Sequence, residues 1–211
     1  AQLVALGSYS HTALKAVVAA TGIDYHRLER GIAHYYTDQK SFDGAAEAAA
    51  VMQRFGVKRR VVSRHELLAI EPALSAFADR IKGGTYTQSD ESGDARSFTQ
   101  QLAALCGQRG ARLMFGHDIE RLDSDGQQIR EVRVRDRQSG SAHVLKADAF
   151  VVASGSYTTP LLQSIGLSVP IYPGKGYSAT LPLLQPEKAP SVSMIDDQLK
   201  IAVSRLGNQL R

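Results

Sequence analysis

The stretch Arg112–Ala147 leaves little choice of local fold. RLMFGHDIERL runs to an Asp125-Gly126 pair, QIREVRVRD runs to Ser139-Gly140, and AHVLKA closes the series. Asp-Gly and Ser-Gly pairs readily take the backbone angles of tight hairpin turns, and the runs between them have strand composition. Three runs joined by two such turns pair antiparallel, as a three-stranded meander. In the second run Val132 and Val134 alternate with Arg133, Arg135 and Arg137. That period of two puts these three arginines on a solvated face, and Arg130, clustered with them in sequence, is read as solvated too.

The meander is flanked by different textures. Before it, Leu3, Leu6, Ala13, Leu14, Val17 and Val18 form a helical apolar stripe that Gly22 stops. RGIAHYYTD reads as a strand and Ala45–Phe55 as an alanine-rich helix. Ser63 and Glu66 make an S-x-x-E capping box for a short helix that Pro72 limits. Thr85–Thr87 reads as a strand, SDESGD as a turn, and Asp94 as the N-cap of a helix carrying Phe98, Leu102 and Leu105 on one face. That helix ends at Gly107 or Gly110.

After the meander, DAFVVASG is a continuous apolar run, the pattern of a strand buried on both faces, and SYTTPLLQSIG reads as a short helix. Gly174, Gly176 and Ala179 satisfy the spacing of a dinucleotide-binding turn. That turn needs a strand entering the glycines and a helix leaving them. Here Pro170 and Pro173 interrupt what precedes, while Tyr177, Ser178, Thr180 and Leu181 read as a strand closed by Pro182. The C-terminal LKIAVSRLGNQLR reads as a strand, a Gly207-Asn208 turn and a return strand. A chain that opens inside a helix and closes as a strand begins reads as an excerpt of a longer protein.

Composition narrows the function classes. With 25 basic and 21 acidic residues the net charge of +4 does not call for a nucleic-acid partner. Cys106 is the only cysteine, so no intrachain disulfide can form, and its i+4 spacing from Leu102 reads as a small buried hydrophobe. The six histidines, His11, His26, His34, His65, His117 and His143, show no metal-ligand spacing. No run of about 18 apolar residues stands out, and a cytoplasmic protein is expected.

The order of helix, G-x-R-x-x-x-G-x-x-I-E-R-L, meander, ADAFVVASGSYTTPLL and then P-I-Y-P-G-K-G-Y-S resembles flavoproteins of the D-amino-acid oxidase type. Within them it is most similar to bacterial FAD-dependent D-amino acid dehydrogenases, over essentially the whole chain. LGSYSHTALKAVVAATGIDY, DESGDARSFTQQLAAL and DDQLKIAVSRLGNQLR also carry the likeness.

The resemblance implies a mixed α/β (α+β) fold: part of a Rossmann-like FAD-binding region with its meander, plus part of a mixed substrate-binding sheet with helices. Residues 1–30 would join the two regions, 31–90 and 169–211 would belong to the substrate sheet, and 91–168 to the FAD region. FAD contacts would fall at Ile119 on the adenine side and at Ala153, Ser154, Gly155 and Tyr157. Lys175 and Tyr177 would face flavin or substrate, and Arg205 has the chemistry of a carboxylate clamp.

The implied activity is oxidation of a D-amino acid to a 2-oxo acid and ammonia, with a respiratory electron acceptor and possible peripheral attachment to the inner membrane. The family's G-x-G-x-x-G turn and its glycine-rich C-terminal segment are not in this sequence, so the isolated chain is expected to be inactive. Leu199 stands before Lys200 where the family pattern has an aromatic. No general-base constellation is visible. A glycine or sarcosine oxidase-like enzyme and a non-catalytic binding module are the other open readings.

Overall fold

The computed structural model describes residues 2–211. They form two compact units, one running to Cys106 and resuming over Ser178–Arg211, the other spanning Gly107–Tyr177.

The first unit contains α1 (Gln2–Thr21), β1 (Ile32–Tyr36), α2 (Gln39–Arg54), β2 (Arg59–Ser63), α3 (Arg64–Ile70), a 3-10 segment at Pro72–Arg80, β3 (Gly83–Thr87) and most of α4 (Ala95–Gln108). The second has β4 (His117–Ser124), β5 (Ile129–Asp136), β6 (Ala142–Leu145) and α5 (Thr158–Gln163). The chain then returns to the first unit with β7 (Leu181–Pro182), β8 (Ser193–Asp196), β9 (Ile201–Val203), β10 (Arg205–Leu206) and β11 (Gln209–Leu210).

A five-stranded sheet of order β2-β3-β1-β8-β9 organises the first unit. β1 pairs antiparallel with β3 and parallel with β8, so residues about 160 positions apart in sequence become neighbours, Ile32 opposite Ser193 and Tyr35 opposite Asp196. Ala33, Val62, Leu67, Leu74, Ile81, Tyr86, Val192 and Met194 make the core against it. The capping box forms as read: Ser63 Oγ accepts from the Glu66 N–H, and the Glu66 carboxylate accepts from the Ser63 N–H. Asp94 caps α4 by accepting from the Arg96 and Ser97 N–H groups.

Glu71, just beyond α3, was silent in the sequence and is 2% exposed. Its carboxylate accepts from the N–H groups of Ala73 (3.0 Å), Ser191 (2.6 Å) and Val192 (2.8 Å). A buried carboxylate with that many donors is a satisfied one, and it ties the end of α3 to the residues that enter β8.

The second unit is the expected meander, a sheet of order β4-β5-β6 with Ile119 opposite Val134 and Leu122 opposite Val132. Leu122 and Val134 are its buried apolar residues. The Ser164 hydroxyl, just past α5, accepts from the Leu122 N–H at 3.1 Å and so pins the helix to β4.

Several expectations are corrected. DAFVVASG forms no strand and pairs with none among the described residues, and Val151 is 92% exposed. Of Tyr177–Leu181 only Leu181 lies in a strand, the two-residue β7. Cys106 is exposed, on the uncovered side of α4. In α1 the half-buried residues include Val4, His11, Ala13, Leu14 and Val18, while Leu3, Leu6 and Val17 are exposed. By length and composition α1, Gln2–Thr21, also qualifies as a candidate membrane span, although it is not a purely apolar run. α2 begins six residues before the alanine-rich segment, where the Asp38 carboxylate accepts from the Ser41 N–H. The residues of β2 and β8 were not read as strands at all.

Candidate functional site

The residues that the resemblance assigned to FAD all lie in the second unit. Ile119 sits on β4, half exposed at 51%, immediately before a bulge that interrupts the register between Ile119 and Arg121. A bulge re-aims the side chains around it. Ala153, Ser154 and Gly155 form the turn into α5, where the Tyr157 N–H donates to the Ser154 carbonyl at 3.0 Å and Tyr157 is 76% exposed.

Gly155 carries the local geometry of this turn. Its φ is +55°, in the left-handed region that disfavours residues with a Cβ. No atom lies within 4 Å of where a Cβ would stand, so the turn presents bare backbone with open space beside it. Tyr157 leaves an aromatic face exposed beside this backbone.

Lys175 and Tyr177 are brought together, with the ammonium 5.2 Å from the ring centroid, a cation–π geometry. Tyr177 is 89% exposed.

Arg205 lies in the first unit on β10. Its Nε donates to the Gly207 carbonyl and its Nη1 to the Pro186 carbonyl, each at 3.2 Å. Beside it opens a cavity of about 330 Å³ lined by His26, Arg27, Arg30, Ser191, Arg205 and Gly207. Sequence reading missed His26, Arg27 and Arg30, because they lie in the segment before β1, more than 170 residues from Arg205 along the chain. Arg27 is committed elsewhere: its Nη2 donates to Glu91 at 2.6 Å and to Glu29 at 2.7 Å. Burial pushes the Glu91 carboxyl up, but Arg27 and His11 outweigh it and hold the group below its ordinary value. A larger cavity, about 690 Å³ between Gln53, Val57, Lys58, Arg60 and Ser89, contains none of the assigned residues.

The arginines of β5, and Arg137 just past its end, each pair with or approach a carboxylate on or next to β4. Arg135 pairs with Glu120 at 2.5 Å, Arg130 with Asp125 at 2.5 Å, Arg133 approaches Asp123 at 3.9 Å, and Arg137 pairs with Asp118. The face is therefore charge-balanced, as solvated strand faces are.

Comparison with known proteins bears on what these groups do. The family described as FAD dependent oxidoreductase, DAO, matches residues 1–211. A protein named D-amino acid dehydrogenase from Dechloromonas aromatica (strain RCB) is 46% identical over 211 residues, covering all of this chain and 50% of that protein. One of the same name from Methylobacterium sp. (strain 4-46) is 38% identical over 210 residues, covering 49% of its length. The chain thus spans about half the length of the relatives it matches. Among solved structures, glycine oxidase from Geobacillus kaustophilus superposes over the whole chain and 55% of its own, with a TM-score of 0.84 at 23% identity. L-proline dehydrogenase from P. horikoshii superposes over 96% of this chain and 52% of its own, with a TM-score of 0.74 at 13% identity.

Proposed function

We propose, from the premise that this chain belongs to the FAD-dependent oxidoreductase family DAO, that it is part of an enzyme oxidising D-amino acids to 2-oxo acids and ammonia. FAD is the cofactor of this family. The observation that carries the substrate class is the 46% identity, along the entire chain, to a protein named D-amino acid dehydrogenase.

When bound, FAD supplies the two-electron acceptor for the hydride leaving the substrate Cα; the imino acid so formed is hydrolysed by water. The chain's own residues have binding and positioning roles. Ala153, Ser154 and Gly155 offer bare backbone to the cofactor, Tyr157 an aromatic face, and Ile119 an apolar contact on β4. Lys175 and Tyr177 face cofactor or substrate, and Arg205 supplies positive charge for the substrate carboxylate. A respiratory electron acceptor and attachment at the inner membrane belong to this proposal through the resemblance alone.

The test uses a protein extended to the length of the relatives. D-alanine should bleach the flavin anaerobically, while glycine and sarcosine should not. Bleaching by glycine or sarcosine instead, with peroxide formed in air, would replace the D-amino acid reading with an oxidase of those substrates. Gly155→Val should abolish flavin retention, since a branched side chain stands poorly at a φ of +55° and would fill the space beside the turn. Equal flavin content in both proteins would remove this turn from the cofactor site.

A further inference from the structure

The cavity around Arg205 gathers positive charge that nothing in its lining neutralises. Arg205 is half-buried and held by two backbone carbonyls, which fix the guanidinium without cancelling its charge. Arg30 lines the same cavity, and among the described residues neither arginine forms an ion pair. Arg27, also in the lining, is spent on Glu91 and Glu29.

The adjoining wall is closely packed. His26 has a φ of +57°, held by its own N–H donating to Asp24 Oδ1 at 3.0 Å. This turn lays the imidazole on Gly207, whose missing Cβ would stand 3.0 Å from the ring. A non-glycine residue in the left-handed region is uncommon, and such strain clusters where a side chain must be aimed. Ser191, the remaining polar group of the wall, already donates its N–H to Glu71.

We propose that this cavity binds one small oxyanion, with Arg205 as the donor held by carbonyls, the exposed Arg30 as the second donor and His26 as the adjoining wall. A planar guanidinium pre-set by backbone carbonyls loses little freedom on meeting a carboxylate or phosphate, and two guanidiniums around one anion give paired charge-assisted hydrogen bonds. At about 330 Å³ the space is at the lower end of small-molecule sites, which suits an amino acid, a 2-oxo acid or inorganic phosphate. The assignment of a carboxylate rests on the proposed D-amino acid oxidation; the oxyanion site itself rests on the lining residues.

Titration calorimetry at low ionic strength, with D-alanine, pyruvate and inorganic phosphate in separate runs and no flavin added, tests it. Saturable binding of at least one anion is expected, weakened about tenfold or more by Arg30→Met and by Arg205→Met. Arg205→Lys should recover part of the binding, because it restores the charge without the fork. Circular dichroism melts of each variant separate lost binding from lost folding. Binding of the carboxylates assigns the site to substrate or product; binding of phosphate alone keeps the oxyanion site and assigns it to phosphate. Absence of binding by all three, or binding that neither arginine substitution changes in a folded protein, overturns the proposal. No flavin or turnover enters the readout, so failure of the enzymatic reading leaves this result standing.

Discussion

β3 and the run Phe150–Ala153 behave opposite to their compositions. β3 is GGTYT, poor in apolar side chains, and all five of its residues are buried between β2 and β1. FVVA is wholly apolar, forms no strand, and leaves Val151 92% exposed. The difference is partners. A strand exists through its ladder, and β3 is paired on each side, with β2 and with β1, whereas FVVA is paired with no strand among the described residues. Hydrophobicity is a demand for cover; it does not supply the edges that provide it.

The contrast extends to the two units, and substitutions can break or sharpen it. The largest effect belongs to Glu71→Ala. It strips the acceptor from three N–H groups around a nearly inaccessible position, and a loss of roughly 4 kcal/mol in chemical denaturation is expected. A loss below about 1 kcal/mol would mean that water reaches those donors and that the first unit is less tightly closed than its burial indicates.

Two glycines come next, one from each region. A Cβ on Gly84 would stand 2.5 Å from the His34 carbonyl oxygen, so Gly84→Ala must spread β3 from β1, at a cost of about 3 kcal/mol. At Gly155 there is room and only the positive φ to resist, so Gly155→Ala should cost about 1 kcal/mol. Equal costs at both sites would erase the distinction between a packed and an open region.

Acid separates the units further. His34, 3.4 Å from Asp197, is held below the ordinary histidine value first by burial and then by Arg59. The folded state therefore binds fewer protons at this site than the unfolded chain. Its stabilisation is present above the ordinary value of 6.5 and is lost as pH falls below it. In the second unit Asp125 is held down to about 2 by the N–H groups of Gln128 and Gln127 and then by Arg130. Its contribution is present above 3.8 and fades only toward pH 2. Hydrogen exchange between pH 7 and 5 should loosen β1 and leave the Asp125 turn unchanged; the reverse order would contradict both assignments.

The smallest change is expected from Arg137→Ala. Its partner Asp118 and the arginine itself are solvent-exposed, so the denaturation midpoint should not move measurably. A clear shift would show that the charged face of the meander carries structural weight.

How far the sequence could be read followed the range of the forces involved. The capping box at Ser63, the Asp94 cap and the two meander turns were legible because each is settled within about four residues of itself. β8 was not, since SMID has no alternation and becomes a strand only beside β1. The turn at Gly155, the pair Lys175 and Tyr177, and Arg205 enter the proposed site from local pattern and resemblance. Arg30 and His26 could not be connected to Arg205, because more than 170 residues separate them along the chain.

By itself, then, the sequence determined the turns, the caps, the meander and the family resemblance, all of which depend on neighbours in sequence or on order along the chain. Tertiary structure alone decided which apolar runs gained partners, that Glu71 would anchor the entry to β8, and that Arg30 and Arg205 would share one cavity. β3 gains its partners by antiparallel pairing with β1 and β2, and the Glu71 anchor lies where β8 enters its parallel pairing with β1. These are long-range contacts, whose register is set by packing on both faces of a completed sheet.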